Sequence, residues 1–110
     1  MIVQNQGKTN PEIRPVSIAI PWQEGKEIIM ELGTARVLDP LFFSGKDDRT
    51  SQDFQPVTLK AVKWKASPEG IVAIDPYGRM EAVKEGICNV SVESLDNLGV
   101  ADSREVRVVA

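Results

Sequence analysis

Apolar and polar residues alternate with a period of two over much of the chain, most clearly between Val62 and Gly86, VKWKASPEGIVAIDPYGRMEAVKEG. Val62, Trp64 and Ala66 share one parity and Lys63 and Lys65 the other, which predicts a half-buried strand with its cations in water. Ser67-Pro68-Glu69-Gly70 predicts a turn that reverses the chain before Ile71 to Ile74 resumes strand character. Asp75-Pro76-Tyr77-Gly78 lies between two apolar runs. Proline at the second position and glycine at the fourth predict a type I turn closed by a left-handed glycine, with Arg79 to Val83 as the returning strand. Gly86 ends that unit. Cys88, Val90 and Val92 then alternate with Asn89 and Ser91 as a core strand, SLDNLG from Ser94 to Gly99 is a turn, and Val106, Val108 and Ala110 are expected to face inward from the last strand.

The earlier half of the chain is less regular. Residues 1–14 show little periodicity and read either as a disordered terminus or as an extended arm that orders against a neighbouring subunit, with Ile2, Val3 and Ile13 as its apolar anchors. Val16, Ile18 and Ile20 alternate with small residues before Pro21, which suits an edge strand. Trp22 follows, either capping the core or lying exposed. Glu24-Gly25-Lys26 is a turn. Glu27 to Leu32 reads as strand or helical turn by periodicity, and strand is preferred because Gly33 and the β-favouring Thr34 to Leu38 follow. Asp39-Pro40 breaks that run, and Leu41-Phe42-Phe43 is an apolar patch among polar neighbours. Ser44 to Pro56, SGKDDRTSQDFQP, is a long polar loop whose one large apolar residue is Phe54. Loops of this length without structure of their own are usually functional or disordered. Val57 and Leu59 begin a further run that changes parity between Ala61 and Val62, the sign of a bulge or of two short strands.

The order of these features resembles the bacterial immunoglobulin-like domain, group 2. The features are the Trp64 strand, the Ser67-Pro68 turn, Val72-Ala73-Ile74-Asp75, the Gly78 hairpin, and Gly86 before the next strand. The likeness extends through Val90 and Val92 to Val106-Arg107-Val108-Val109, about half of the chain. More loosely, Val16-Ser17-Ile18 is similar to the family's first strand, and Gly33 with Val37-Leu38 to its second. The long loop at Ser44 to Pro56 departs from the family pattern. The resemblance implies an all-β fold, an immunoglobulin-like β-sandwich of about seven strands over residues 15–110, preceded by the arm at 1–14. Its core is expected to hold Trp64, Ile74, Val90, Val92 and Val106, with Gly78 and Gly86 at turns. It also implies adhesion or assembly, with no catalytic apparatus.

At 110 residues the chain is one domain, long enough to form a core without staples. The single cysteine, Cys88, lies on the parity of the valines and reads as a buried apolar residue, and an intrachain disulfide is excluded. The formal net charge is −3 with cations and acids interspersed, so no direct nucleic-acid contact is expected. The start MIVQNQGKTNPEI lacks a leader pattern and no run reaches the length of a membrane span, so cytoplasmic synthesis and no membrane are expected.

There is no histidine, which rules out Ser-His-Asp and Cys-His catalysis. Asp47, Asp48, Asp53, Glu69 and Asp75 are available for carboxylate chemistry, but their spacing selects no pair. Asp47-Asp48 lacks the calcium-loop spacing. No enzyme activity and no cofactor are therefore expected, and the function must be binding. Domains similar to this family occur on tailed-phage particles. The first expectation is thus a virion structural protein, made in the host cytoplasm, that binds the major capsid or another virion protein as a decoration or cement protein. Its contacts would be carried by the arm and by the region from Phe42 to Phe54, through Ile2, Val3, Ile13, Phe42, Phe43 and Phe54. A homodimer across the Val16 to Ile20 edge is an additional expectation. The alternative is a surface adhesin or carbohydrate-binding module of a larger secreted protein, with Trp22, Trp64 and Tyr77 as stacking faces.

Overall fold

The computed structural model describes residues 12–23 and 26–110, and among these it is all-β with nine strands and no helix. The expected Glu24-Gly25 turn and the anchors Ile2 and Val3 lie outside the described residues. The strands are β1 (Ser17–Ala19), β2 (Ile28–Glu31), β3 (Ala35–Val37), β4 (Leu41–Phe43), β5 (Val62–Ser67), β6 (Val72–Ile74), β7 (Arg79–Ala82), β8 (Gly86–Ser94) and β9 (Ala101–Val109). One sheet has the order β2-β9-β8-β5, with β2 parallel to β9 and the other pairs antiparallel. A second has the order β3-β7-β6, and β1 pairs with β4 in a two-stranded ribbon.

These sheets form a two-layer β-sandwich. β3 and β4 are halves of one line of chain interrupted at Asp39-Pro40, where proline withdraws a ladder donor. One half pairs with β7 and the other with β1. The Leu38 N–H still reaches the Gly78 carbonyl at 2.9 Å, so the break bends the layer without detaching it. Between the layers Ile28, Met30, Trp64, Cys88, Val90, Val92, Val106 and Val108 from one side meet Ile18, Leu38, Val72, Met80 and Ala82 from the other. All but Leu38, which follows β3, come from the inward parity of their strands, the arrangement that period-two patterning requires of stacked sheets.

Trp64 holds the two layers in register. It is 9% exposed, and its ring lies under the Asp75 to Gly78 turn of the opposite layer. A Cβ built on Gly78 would stand 3.0 and 3.1 Å from two ring atoms and would collide with the Leu38 carbonyl oxygen. Gly78 is buried with φ +84°, so both space and backbone conformation exclude a side chain there. Asp75 shapes the turn: its Oδ1 accepts the N–H groups of Tyr77 and Arg79, each at 2.9 Å, and its carbonyl accepts that of Gly78 at 3.1 Å.

Several local expectations need correction. The turn at Ser67 to Gly70 does not fold β5 back onto β6; it carries the chain from one layer to the other, because β5 pairs with β8 while β6 pairs with β7. No strand forms over 57–61. The donors of Thr58 and Leu59 go to the Ile13 carbonyl, and that of Ala61 to the Asp96 carboxylate. Val16 is 58% exposed despite sharing the parity of Ile18, since the chain bends there and Pro15 takes the buried place. Ile74 is half-buried at the strand end, packing on the core from its margin. Ala110 is exposed, one residue past the point where the ladder to β2 ends.

Trp64→Ala is expected to cost about 3–5 kcal/mol, the range for truncating a large buried aromatic, read as a lowered midpoint in denaturant titration. Gly78→Ala is expected to lower the same midpoint well beyond Gly99→Ala. Both glycines have positive φ, but a Cβ at Gly99 meets nothing within 4 Å, so backbone strain of about 1–3 kcal/mol is shared and only Gly78 adds a collision. Equal losses would show that the Trp64 contact is unimportant.

Candidate functional site

The long loop after β4 builds itself from short polar side chains. The Asp47 carboxylate accepts the N–H groups of Ser44 and Gly45, each at 3.1 Å, and Asp48 Oδ1 accepts the Thr50 N–H at 2.9 Å and hydroxyl at 2.6 Å. Ser51 Oγ accepts the Asp53 N–H at 3.1 Å. These Asx- and ST-type turns let serine, threonine and aspartate satisfy neighbouring backbone that no sheet would satisfy. At the neck the Ser44 hydroxyl donates to the Gln55 carbonyl, and the Gln55 N–H donates to the Lys46 carbonyl at 2.9 Å. The ends of the loop therefore meet, as in a compact Ω-loop.

Closing the loop brings together aromatic residues that are distant in sequence. Phe42 pairs across from Ile18, faces inward and packs against the core, whereas Leu41 and Phe43 face outward at 50% and 37% exposure. Phe54, half-buried, returns over the same region. Pro40, Leu41, Phe42, Phe43, Phe54 and Val57 line a shallow open groove of about 320 Å³, and the ionic groups at it are Asp47, Arg49 and Lys60. The Arg49 guanidinium lies 5.6 Å from the Phe54 ring centre and the Lys60 ammonium 5.8 Å from that of Phe42, within cation–π range. A neighbouring depression shares Pro40, Phe42 and Lys60 with the groove and is lined further by Trp64, Pro76 and Tyr77. Ile13 is held near the groove's Val57 end. Its N–H donates to Thr58 Oγ1 at 2.8 Å, and its carbonyl accepts the N–H groups of Thr58 and Leu59 at 3.0 and 3.2 Å.

Of the residues expected to bind a partner, the structure thus gathers Phe42, Phe43 and Phe54 at one groove and tethers Ile13 nearby. Arg49 and Lys60 were missed. Nothing in the local sequence ties either cation to an aromatic ring; only the closed loop does. The stacking faces fare differently from one another. Trp64 is buried, Trp22 is half-buried with its Nε1 donating to the Glu27 carbonyl and the Arg36 guanidinium 4.8 Å above its ring, and Tyr77 is 84% exposed.

Cys88 is buried, and loss of hydration pushes its thiol up from the ordinary value, keeping it neutral and unreactive. Among the described residues no group of three or more Cys, Asp or Glu is placed to hold a metal ion, and no helix is long and apolar enough to cross a membrane. No protein-family model matches the chain, and a search of curated proteins finds no relative.

The Thr50 hydroxyl, and then the Thr50 N–H, hold the Asp48 carboxyl below its ordinary 3.8. A depressed carboxylate contributes to order above its unfolded pKa and loses that contribution as pH falls through the folded value. The Thr50 amide resonance is therefore expected to stay fixed from neutrality down to the ordinary carboxylate range and to move only below it. Asp48→Asn should remove the acid transition; a Thr50 amide that instead moves near neutral pH would exclude this cause.

Proposed function

We propose that the chain is a non-enzymatic structural domain of the immunoglobulin type that binds a multimeric protein lattice, as a decoration or cement protein of a tailed-phage capsid. The observation that carries the binding reading is the convergence of Phe42, Phe43 and Phe54 on one open groove, built by a loop that the sandwich itself does not need. Apolar groups left at such a surface are characteristic of contact sites.

The fold-level part of the proposal rests on strand order. If β3 and β4 are counted as one line, the layers read β1-β3/β4-β7-β6 and β2-β9-β8-β5. That order supports the immunoglobulin reading, in which β2 would be a first-strand continuation that crosses over to run parallel to the last strand. The virion setting rests on the resemblance carried by Trp64, Asp75, Gly78 and Gly86, with synthesis in the host cytoplasm and the major capsid or another virion protein as partner. The arm at 1–14 belongs to the same contact. Pairing of two copies along Val16 to Ala19 is compatible with it, although the Ile20 N–H is already taken by the Asp102 carboxylate at 2.8 Å. The carbohydrate-binding alternative keeps Tyr77 as its one freely exposed stacking face, which favours the protein-binding reading.

Deleting Met1 to Asn10 and, separately, shortening Ser44 to Gln55 are expected to weaken binding to purified undecorated capsids while thermal unfolding stays cooperative. Unchanged capsid binding by both folded variants would overturn the proposal.

A further inference from the structure

The groove's chemistry also indicates what it accepts, an inference that rests on the binding role proposed above. Two cations and one carboxylate line it, Arg49 and Lys60 against Asp47, in a chain whose net charge is −3. Both oxygens of Asp47 already accept backbone N–H groups of Ser44 and Gly45. Among the described residues neither Arg49 nor Lys60 has a carboxylate within ion-pair distance; the ion pairs are Arg79–Glu81, Arg104–Asp102 and Arg107–Glu27. Asp48 and Asp53 belong to the same loop but do not line the groove. Each cation instead sits over an aromatic ring, Arg49 over Phe54 and Lys60 over Phe42, and both residues are exposed, so their N–H donors are accessible to whatever enters from solvent.

We infer that the groove accepts an extended segment of the partner protein that presents acidic and large apolar residues on one face. The carboxylates would meet Arg49 and Lys60, and the apolar side chains would lie against Phe42, Phe54 and Leu41. Two features favour an extended segment over a small molecule. The groove is shallow and open, where small-molecule sites enclose most of their ligand, and a neighbouring depression that reaches Pro76 and Tyr77 shares Phe42 and Lys60 with it, a combined length that suits a chain. An extended chain turns every second side chain to the same face, so the acidic and apolar residues that share the groove stand two positions apart. Local charge opposite to the protein's net charge then selects the acidic partner and rejects a basic one.

The test titrates the isotope-labelled full chain with an end-blocked peptide in which aspartate and phenylalanine take turns at every second position, with serine between them. Controls replace every aspartate by lysine or every phenylalanine by serine. Saturable amide shifts confined to residues 41–43, 49, 54 and 60 are expected with the first peptide alone. Affinity should fall about tenfold or more in R49E/K60E and in Phe54→Ala. All three positions are at the surface or half-buried, and an unchanged thermal midpoint in R49E/K60E verifies the fold. Equal binding of the lysine peptide, shifts scattered away from the groove, or R49E/K60E affinity within about twofold of the parent would overturn the inference. So would concentration-dependent shifts of the same amides without peptide, which would assign the groove to a second copy. Failure here with capsid binding still lost on shortening Ser44 to Gln55 would leave the lattice reading standing. A peptide bound as expected by a chain that ignores capsids would remove the lattice reading and leave the groove.

Discussion

Trp64 beneath Gly78 is the contact on which the sandwich depends. The facing sheets of a two-layer β fold share no backbone ladder, so their relative position is set chiefly by side-chain packing. Here the largest inward side chain of one layer occupies the space under a turn of the other, and that turn can close over it only because Gly78 has no Cβ. The Asp75 carboxylate fixes the turn, and the Gly78 carbonyl in turn receives the Leu38 N–H. One packed ring thus positions the β6–β7 hairpin and the chain that leads into Asp39-Pro40. From that break the line bends into β4, and the aromatic groove follows.

The margins of the sandwich are held differently, by polar side chains that reach far along the chain. Ser94, fully buried, accepts the N–H groups of Asp96 and Asn97 and stiffens the turn between β8 and β9. From that turn Asp96 accepts the Ala61 N–H and Asn97 donates to the Pro15 carbonyl at 2.8 Å. At the other end of that connection Asp102 accepts the Ile20 N–H and pairs with Arg104 at 2.9 Å. These bonds supply partners where β1 and residues 57–61 lack a ladder, as buried backbone requires. The irregular segments are therefore fixed against the body, and the loop from Ser44 to Gln55 is presented from a rigid base.

How much of this was legible in the sequence depends on range. The β-sandwich was readable from period-two runs and from the Asp75 to Gly78 turn, because both are local consequences of backbone geometry. The Gly78 conformation was readable for the same reason. Asp96, Asn97 and Asp102 were not, since a polar residue bonded to a backbone group 35 or 82 positions away looks in sequence like any solvated turn residue. The crossover at Ser67 to Gly70 was misread as a reversal because turn chemistry specifies a change of direction but not which strand receives the chain. Phe42, Phe43 and Phe54 stood out as apolar residues in polar surroundings, whereas Arg49 and Lys60 gained meaning only once the loop had closed.

That closure explains why the groove belongs to this chain's particular loop and would not be expected of the sandwich in general. A strand pair at a sheet edge would ordinarily pass from β4 to the next strand by a short connection. Instead the loop leaves at Ser44, satisfies its own backbone with aspartate, serine and threonine, and returns at Gln55 beside its starting point. Such a loop has little apolar content with which to dock itself. Its single phenylalanine lines the same groove as Leu41 and Phe43, outside the core, and stays half-buried with a cation above it. A core contact would have buried Phe54 fully and left Arg49 in solvent. An aromatic ring and a cation thus share one partly open surface, where the segment proposed above would meet both.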